Sequence, residues 1–457
     1  MDRFDVVVIG GGGTGSEVAY ELARRSDRRV ALIERDRLGG ECNHYGCVPT
    51  KVMLRAAKVA SLARRGDAFG VRVPGPVEVD LRAVQQRARD VVDAISGEGA
   101  APFERVGVRV FLQEARLTGE RRVELADGTV LEAPAIVLAT GTEATAPPVP
   151  GLAEGPSWTN REAIWEPSER PASLAILGAG AIGAEFAQIY ARFGSRVTVL
   201  EALEQLLPGE DEEAAAALVP AFEEDGIEVR TGVAVEAARH DGSRWTIEVA
   251  DRGSLTADEL LVATGRQPVF DGHDLDAAGV ELDDDGRPVL TPTLRTTNPN
   301  VWVAGDATGE LLFTHVGTYE AQLVVEDLLG EPRARDDRVV PRVTFCDPEV
   351  ASVGLTEREA RERGHDVVVG VSPLSDSERA HIEGETGGLV KLVAERTTGE
   401  LLGGHVVAAE AGSMIHEVVA IMSLRATAPA VARTIHAYPT YPEAVRAALL
   451  GVAEQVG

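Results

Sequence analysis

Asp5-Val6-Val7-Val8-Ile9-Gly10-Gly11-Gly12-Gly13-Thr14-Gly15 is the stretch that decides how this chain folds. Its first half is a short, β-branched apolar run with the composition of a buried strand. Glycine takes over where the run ends, and residues 16–25 continue with helical spacing. Gly10, Gly12 and Gly15 fit a dinucleotide fingerprint. The first allows a tight turn, the second lets backbone approach a pyrophosphate and the third lets helix pack on strand. Residues 29–34 then supply a second strand ending in Glu34, an acid about 20 residues on that suits ribose hydroxyls.

The same pattern is written again further along. Leu174-Ala175-Ile176-Leu177 leads into Gly178-Ala179-Gly180-Ala181-Ile182-Gly183, a helical stretch over 184–193, and a strand over 196–201 ending in Glu201. Two fingerprints in full strand-turn-helix context predict two nucleotide-binding units. A carboxylate at Glu201 hydrogen-bonds a 2′-hydroxyl but repels a 2′-phosphate, and Ala202, Leu203 and Glu204 offer no arginine to receive one. NADH is therefore expected over NADPH at the second unit. Two further strand-like segments, 135–141 with Thr140 and Gly141, and 259–266 with Gly265 and Arg266, both end in Ala-Thr-Gly. Their similar distances from the two fingerprints point to an internal duplication.

Between the first strand pair and the rest lies Gly39-Gly40-Glu41-Cys42-Asn43-His44-Tyr45-Gly46-Cys47-Val48-Pro49-Thr50-Lys51. The whole chain has three cysteines, Cys42, Cys47 and Cys346, which excludes a disulfide-stapled scaffold. A close pair at a strand-to-helix junction reads as a redox-active disulfide, with a metal site or a structural pair as alternatives. Zinc would want further Cys or His ligands, and only His44 lies between the thiols, so no metal is expected. The flanking glycines, Pro49 and Lys51 favour redox chemistry. Cys346 reads as a small packing residue.

Composition bounds the partners. At 457 residues several domains are expected, and 44% hydrophobic with 26% charged residues is the balance of a soluble globular protein. A formal charge of -28 opposes binding to nucleic acid or an anionic membrane. No segment has the roughly 20 continuous apolar residues of a membrane span, and the N-terminal run is too short for a signal peptide, which predicts a cytoplasmic location.

Taken together, these motifs resemble the pyridine nucleotide-disulfide oxidoreductases of the group containing dihydrolipoamide dehydrogenase, glutathione reductase and mercuric reductase. The resemblance covers essentially the whole chain. Residues 300–306 resemble the family's second FAD motif, residues 311–320 its segment beneath the isoalloxazine, and residues 341–354 the opening of its dimerisation domain. The fold it implies is α/β, with two Rossmann-like dinucleotide-binding domains plus a C-terminal α+β dimerisation domain. The expected bounds are 1–147 and 269–337 for FAD, 148–268 for NAD(H) and 338–457 for dimerisation. The implied FAD and NAD(H) sites comprise Gly10, Gly12, Thr14, Gly15, Glu34, Gly40, Lys51, Ala115, Thr140, Gly141, Asp306, Thr314, His315, Gly178, Gly180, Ile182, Gly183, Glu201, Gly265 and Arg266.

The resemblance also implies chemistry: hydride from NADH to the flavin, then electrons to the disulfide, with Cys47 as the charge-transfer thiolate and Cys42 as the interchange thiol. Lys51, paired with Glu185, would lie near flavin N5. Active sites would be shared across a homodimer acting on a small molecule. A tyrosine that gates the nicotinamide pocket in glutathione reductases is Ala181 here. A second departure weighs more. Where disulfide reductases of the family carry His-Pro-Thr-x-x-Glu, this chain reads Tyr438-Pro439-Thr440-Tyr441-Pro442-Glu443. An unperturbed phenol, with a pKa near 10, is ionised in roughly one molecule per thousand at neutral pH, so Tyr438 is a poor general base.

The expected activity is an FAD-dependent NADH oxidoreductase passing electrons through Cys42 and Cys47 to a thiol, disulfide or soft electrophile. A dihydrolipoamide dehydrogenase-like reductase, a mercuric reductase-like or transhydrogenase-like flavoprotein, and an electron-transfer component with a vestigial disulfide are the alternatives. Glu201→Ala is expected to erode the ratio of kcat/KM for NADH over NADPH; a wild-type preference for NADPH would contradict the carboxylate argument.

Overall fold

The computed structural model describes residues 2–456 as two compact units. The first comprises Met1–Pro49, Gln86–Thr145 and Gly265–Asp336. Its centre is a five-stranded parallel sheet in the order Val301–Val303, Ile136–Leu138, Val6–Ile9, Val30–Glu34, Arg109–Leu112. Val6–Ile9 and Val30–Glu34 are buried along their whole length, as expected of parallel strands covered on both faces. Successive residues part company: Val6 and Val8 join one core with Leu22, Leu32 and Trp302, while Val7 and Ile9 join another with Ile33, Phe111 and Leu117. Helix Gly13–Arg25 begins three residues before the expected 16–25, because the glycine turn itself supplies the first helical residues. Its N-cap, Gly12, makes no side-chain cap, which leaves first-turn N–H groups available to an anion.

The second unit comprises Thr50–Gln85, Ala146–Thr264 and Asp337–Gly457. A parallel sheet, Glu228–Arg230, Arg196–Leu200, Ser173–Leu177, Glu259–Val262, carries helix Ala181–Phe193 after its fingerprint turn. Beyond it, five antiparallel strands run in the order Pro341–Thr344, Glu349–Gly354, Leu401–Ala408, Leu389–Glu395, Val367–Pro373. Helices Ala411–Ser423 and Pro442–Ala453 pack on that sheet through Ile415, Val418, Val445 and Leu449. The architecture is thus α/β with two Rossmann-like halves, followed by an α+β region. Among the described residues, no helix is long and apolar enough to cross a membrane.

Two stretches group with residues distant in the chain. Thr50–Gln85 groups with the second unit, since Met53, Leu54, Ala57 and Leu81 enter the core of Ile176, Phe186 and Tyr190. Gly265 and Arg266, read from sequence as the end of the second nucleotide unit, belong to the first: Arg266–Pro268 forms an antiparallel ribbon with Thr142–Ala144.

An ionic knot ties four separated stretches of the second unit together. Asp347 receives Lys58 Nζ at 2.9 Å and Arg192 Nη1 at 2.8 Å, and Arg192 also pairs with Asp225. Burial alone would raise the Asp347 carboxyl, but Arg192 and Lys58 outweigh it and hold the group below its ordinary value. Asp347→Asn is expected to cost about 3 kcal/mol of stability at neutral pH. The ionised form contributes above the unfolded value of 3.8 and its contribution fades as pH falls through the lowered folded value. Denaturant unfolding of both proteins across pH 3–7 checks that the gap closes at the acid end.

Candidate active site

In the first unit the glycines leave no room for other residues where strand meets helix. Gly10 has φ +104, and a Cβ there would lie 2.1 Å from the Ala139 carbonyl oxygen. A Cβ on Gly15 would lie 1.9 Å from the Gly10 oxygen. Gly12 is the opposite case, with nothing within 4 Å of its would-be Cβ: it faces an open cradle. Gly40, at φ +59, closes against Gly12, whose Cα would lie 2.8 Å from a Cβ on Gly40. Glu34 organises the turn, accepting from Gly11 N through Oε2 and from Asp36 N through Oε1, both at 2.7 Å.

Around the cradle lie the other expected residues of this unit. Thr14 is clasped between Gly305 and Gly317, where added Cβ atoms would come within 2.3 and 2.2 Å of its hydroxyl. Thr140 and Thr308 bury hydroxyls that have no partner, and Gly141 sits at φ +74. Asp306, in the short turn Gly305–Thr308, accepts from the Thr142 hydroxyl at 3.4 Å. Burial pushes its carboxyl up, opposed chiefly by Arg266. Arg266 donates to Thr142 Oγ1 and to its carbonyl, each at 2.9 Å, and approaches Glu41 at 3.6 Å. Ala115 opens the strand Ala115–Gly119 and is half-buried. Buried hydroxyls awaiting partners, an open glycine turn and an uncapped helix N-terminus fit FAD.

The second cradle repeats this geometry atom for atom. Gly178 has φ +98 with its would-be Cβ 2.5 Å from Ala263 O, and that of Gly183 is 2.0 Å from Gly178 O, whereas Gly180 again faces open space. Glu201 accepts from Ala179 N at 2.7 Å and from Leu203 N at 2.8 Å. Ala181 is exposed at the start of its helix and Ile182 is half-buried. This arrangement fits a second adenine dinucleotide.

The two thiols meet over one hydroxyl. Cys42 lies in the short helix Gly40–His44, where the sequence indicated only a strand-to-helix junction, and Cys47 begins the helix Cys47–Arg64. Thr314 Oγ1 donates to Cys42 Sγ at 3.1 Å and lies 3.6 Å from Cys47 Sγ. A side-chain hydrogen bond with Cys47, followed by burial, pushes the Cys42 thiol up. The N-terminus of helix Cys47–Arg64 favours negative charge on Cys47. His315 follows Thr314 and stacks on Phe313. His44 Nε2 lies 2.9 Å from the Leu38 carbonyl. Among the described residues, no three His, Cys, Asp or Glu side chains gather as a metal site.

In the second unit Lys51 Nζ sits 2.8 Å from Glu185 Oε2 and 3.0 Å from Oε1. Glu185 is buried and also accepts from Phe345 N at 2.9 Å, while the Phe345 ring lies 4.8 Å from Lys51 Nζ. Phe345 escaped sequence reading because an isolated aromatic residue carries no periodic signal. Cys346 is buried, and burial raises its thiol well above the ordinary value. Tyr438 is 70% exposed. His436, two residues earlier, turns inward: its Nε2 lies 2.9 Å from Glu417 Oε1 and its Nδ1 3.0 Å from Thr434 O. Glu443 accepts from Thr440 N at 3.1 Å.

Two dinucleotide cradles and a dithiol define a nucleotide-dependent redox enzyme. Residues 4–321 match the pyridine nucleotide-disulphide oxidoreductase family and residues 340–449 match that family's dimerisation domain. A dihydrolipoyl dehydrogenase of Chlorobaculum tepidum is 38% identical across 100% of this chain and 98% of its own length. A mercuric reductase of Bacillus cereus is 35% identical, covering 98% of this chain and 71% of that protein. Among solved structures, the Cu(II) complex of the HOCl-induced flavoprotein disulfide reductase RclA from Escherichia coli is similar at a TM-score of 0.89 and 28% identity, over 98% of this chain and 99% of that one. The chain belongs to the pyridine nucleotide-disulphide oxidoreductase family, whose members are enzymes using FAD and a pyridine nucleotide.

The glycines give a paired prediction. Gly180→Ala, at φ -68 with open space around it, is expected to leave thermal stability near wild type while raising KM for the pyridine nucleotide about tenfold. Gly178→Ala meets both strain and a carbonyl, and is expected to cost about 2 kcal/mol or more of stability in the same melting experiments.

Proposed function

We propose that the chain is an FAD-dependent NADH oxidoreductase that delivers electrons through Cys42 and Cys47 to a small thiol, disulfide or related soft electrophile. The observation that carries this reading is the Thr314 hydroxyl within reach of both sulfurs, with Cys47 at the head of an 18-residue helix. When bound, FAD supplies the two-electron step between nicotinamide and the protein disulfide.

With a disulfide substrate, Cys42 attacks one sulfur and releases the first product thiol, forming a mixed disulfide. Cys47 then attacks Cys42 Sγ, closes the Cys42–Cys47 bond and releases the second thiol; two electrons leave the dithiol and two protons reach the products. Thr314 can follow the proton, since its hydroxyl both donates and accepts. Glu185 steadies Lys51 as the cation beside the flavin. Asp306, Glu34, Thr14, Gly40, Ala115, Thr140, Gly141, Thr314 and His315 serve the FAD side, and Arg266 keeps Asp306 compatible with burial. On the nicotinamide side, Gly178, Gly180, Ile182, Gly183 and Glu201 favour NAD(H), because both Glu201 oxygens already turn backbone N–H groups and present negative charge where a 2′-phosphate would lie.

The exit of electrons is assigned to a homodimer in which Tyr438 and Glu443 of a second copy face the interchange thiol. The dimerisation-domain match and the exposed apolar side chains of Ile435, at 95%, and Leu424, at 80%, support that assembly. FAD binding by residues 1–147 and 269–337, NAD(H) binding by 148–268 and dimerisation by 338–457 make up the division of labour. The acidic surface fits a cytoplasmic enzyme without nucleic-acid or membrane partners. A second reading, lipoamide reduction, is favoured by the similarity to dihydrolipoyl dehydrogenases.

Anaerobic NADH titration is expected to take up two electrons beyond the flavin and to raise a long-wavelength thiolate-to-flavin band, which Cys47→Ser abolishes; an unchanged spectrum and turnover in that variant would refute the dithiol route. Comparing NADH oxidation with lipoamide, glutathione disulfide, quinones and Hg(II) is expected to show slow lipoamide turnover. Rapid turnover of lipoamide would favour the second reading and remove the significance of Tyr438.

A further inference from the structure

The cradle has a support that touches neither thiol nor nucleotide turn. Strand Val301–Val303 runs toward the site, and the next residue, Ala304, is still anchored to the sheet through its N–H on the Leu138 carbonyl at 3.0 Å. One peptide later the chain turns at Gly305, φ +71, into the short helix that carries Asp306. The N–H of that turning peptide is held by a carboxylate: Gly305 N donates to Glu320 Oε2 at 2.6 Å. Glu320 lies on helix Thr314–Leu328 and is only 1% exposed. Such burial is costly for a carboxylate unless each oxygen is engaged. Its other oxygen, Oε1, accepts from Arg335 Nη1 at 3.1 Å, and the second arm of Arg335 bridges to Glu310.

We propose that Glu320, charged and held by Arg335, is the positioning residue that aims Asp306 into the FAD site. The inference rests on the reading of Asp306 as an FAD ligand. Gly305 tolerates several backbone directions, being a glycine at positive φ, so the chain itself does not choose one. Thr14 blocks it on one side, 2.3 Å from a would-be Cβ, and Glu320 selects the peptide direction from the other. That direction brings the Asp306 carboxylate against the Thr142 hydroxyl and near Arg266. Helix Thr314–Leu328 thereby performs two tasks: its first residue, Thr314, meets the sulfurs, and Glu320 sets the neighbouring loop.

Gln is the discriminating substitution, because it keeps shape and burial but has only one acceptor. Either Gly305 N–H or Arg335 would then face an amide NH2, donor against donor. The test is a double-mutant cycle on FAD affinity, with purified E320Q, D306N and E320Q/D306N measured by flavin fluorescence on titrating FAD into each apoprotein. E320Q is expected to weaken FAD about tenfold, the loss typical of one buried acceptor. The double variant is expected to be no weaker than D306N alone, because a misaimed and a neutralised Asp306 fail in the same way. Additive losses, or wild-type affinity in E320Q, overturn the proposal. If D306N itself binds FAD normally, the ligand reading of Asp306 falls and the proposal with it; if D306N weakens FAD while E320Q does not, only the proposal falls. Should E320Q not fold, Arg335→Gln takes its place in the cycle, with coupling to D306N supporting the role and additivity overturning it.

Discussion

Everything in this protein hangs on the distance at which a helix meets the strand before it. A Cβ on Gly15 would stand 1.9 Å from the Gly10 carbonyl, and one on Gly183 would stand 2.0 Å from that of Gly178. Absence of side chains at these points lets each helix start close against its sheet, with uncapped N–H groups directed at the cradle. The middle glycines, Gly12 and Gly180, are spared for a different reason, since their would-be Cβ atoms meet nothing in the protein. Close packing and open space alternate within a few residues, and both are needed for a phosphate-bearing ligand to reach backbone.

The acids that end the following strands share this economy. Glu34 and Glu201 each place one oxygen on the N–H after the first glycine and the other on a backbone N–H two residues downstream. A side chain suited to a ribose is thus also the brace of its own turn. Substituting it removes the brace of the turn together with the charge, so binding measurements on these positions report loop geometry as well.

The two ends of the redox pair have unequal surroundings. A hydrogen bond with Cys47 and then burial push the Cys42 thiol up, while Cys47 stands at a helix N-terminus. In the C-terminal loop, His436 is engaged by Glu417 and Thr434, and Tyr438 lies outward. A phenol donates a hydrogen bond readily but takes a proton poorly near neutrality.

Sequence by itself determined the two dinucleotide fingerprints, the Cys42 and Cys47 pair, the position of Lys51 and the departure at Tyr438. These are local patterns, in which glycine sterics, strand hydrophobicity and the terminal acid fall within about 25 residues of one another. Partners far apart in the chain were decided only by tertiary structure. Arg266 leaves the apparent end of the second unit because its strand pairs with Thr142–Ala144, and Phe345 N reaches Glu185. No periodicity encodes such meetings, since they depend on which buried donor finds itself facing which acceptor once the sheets have closed.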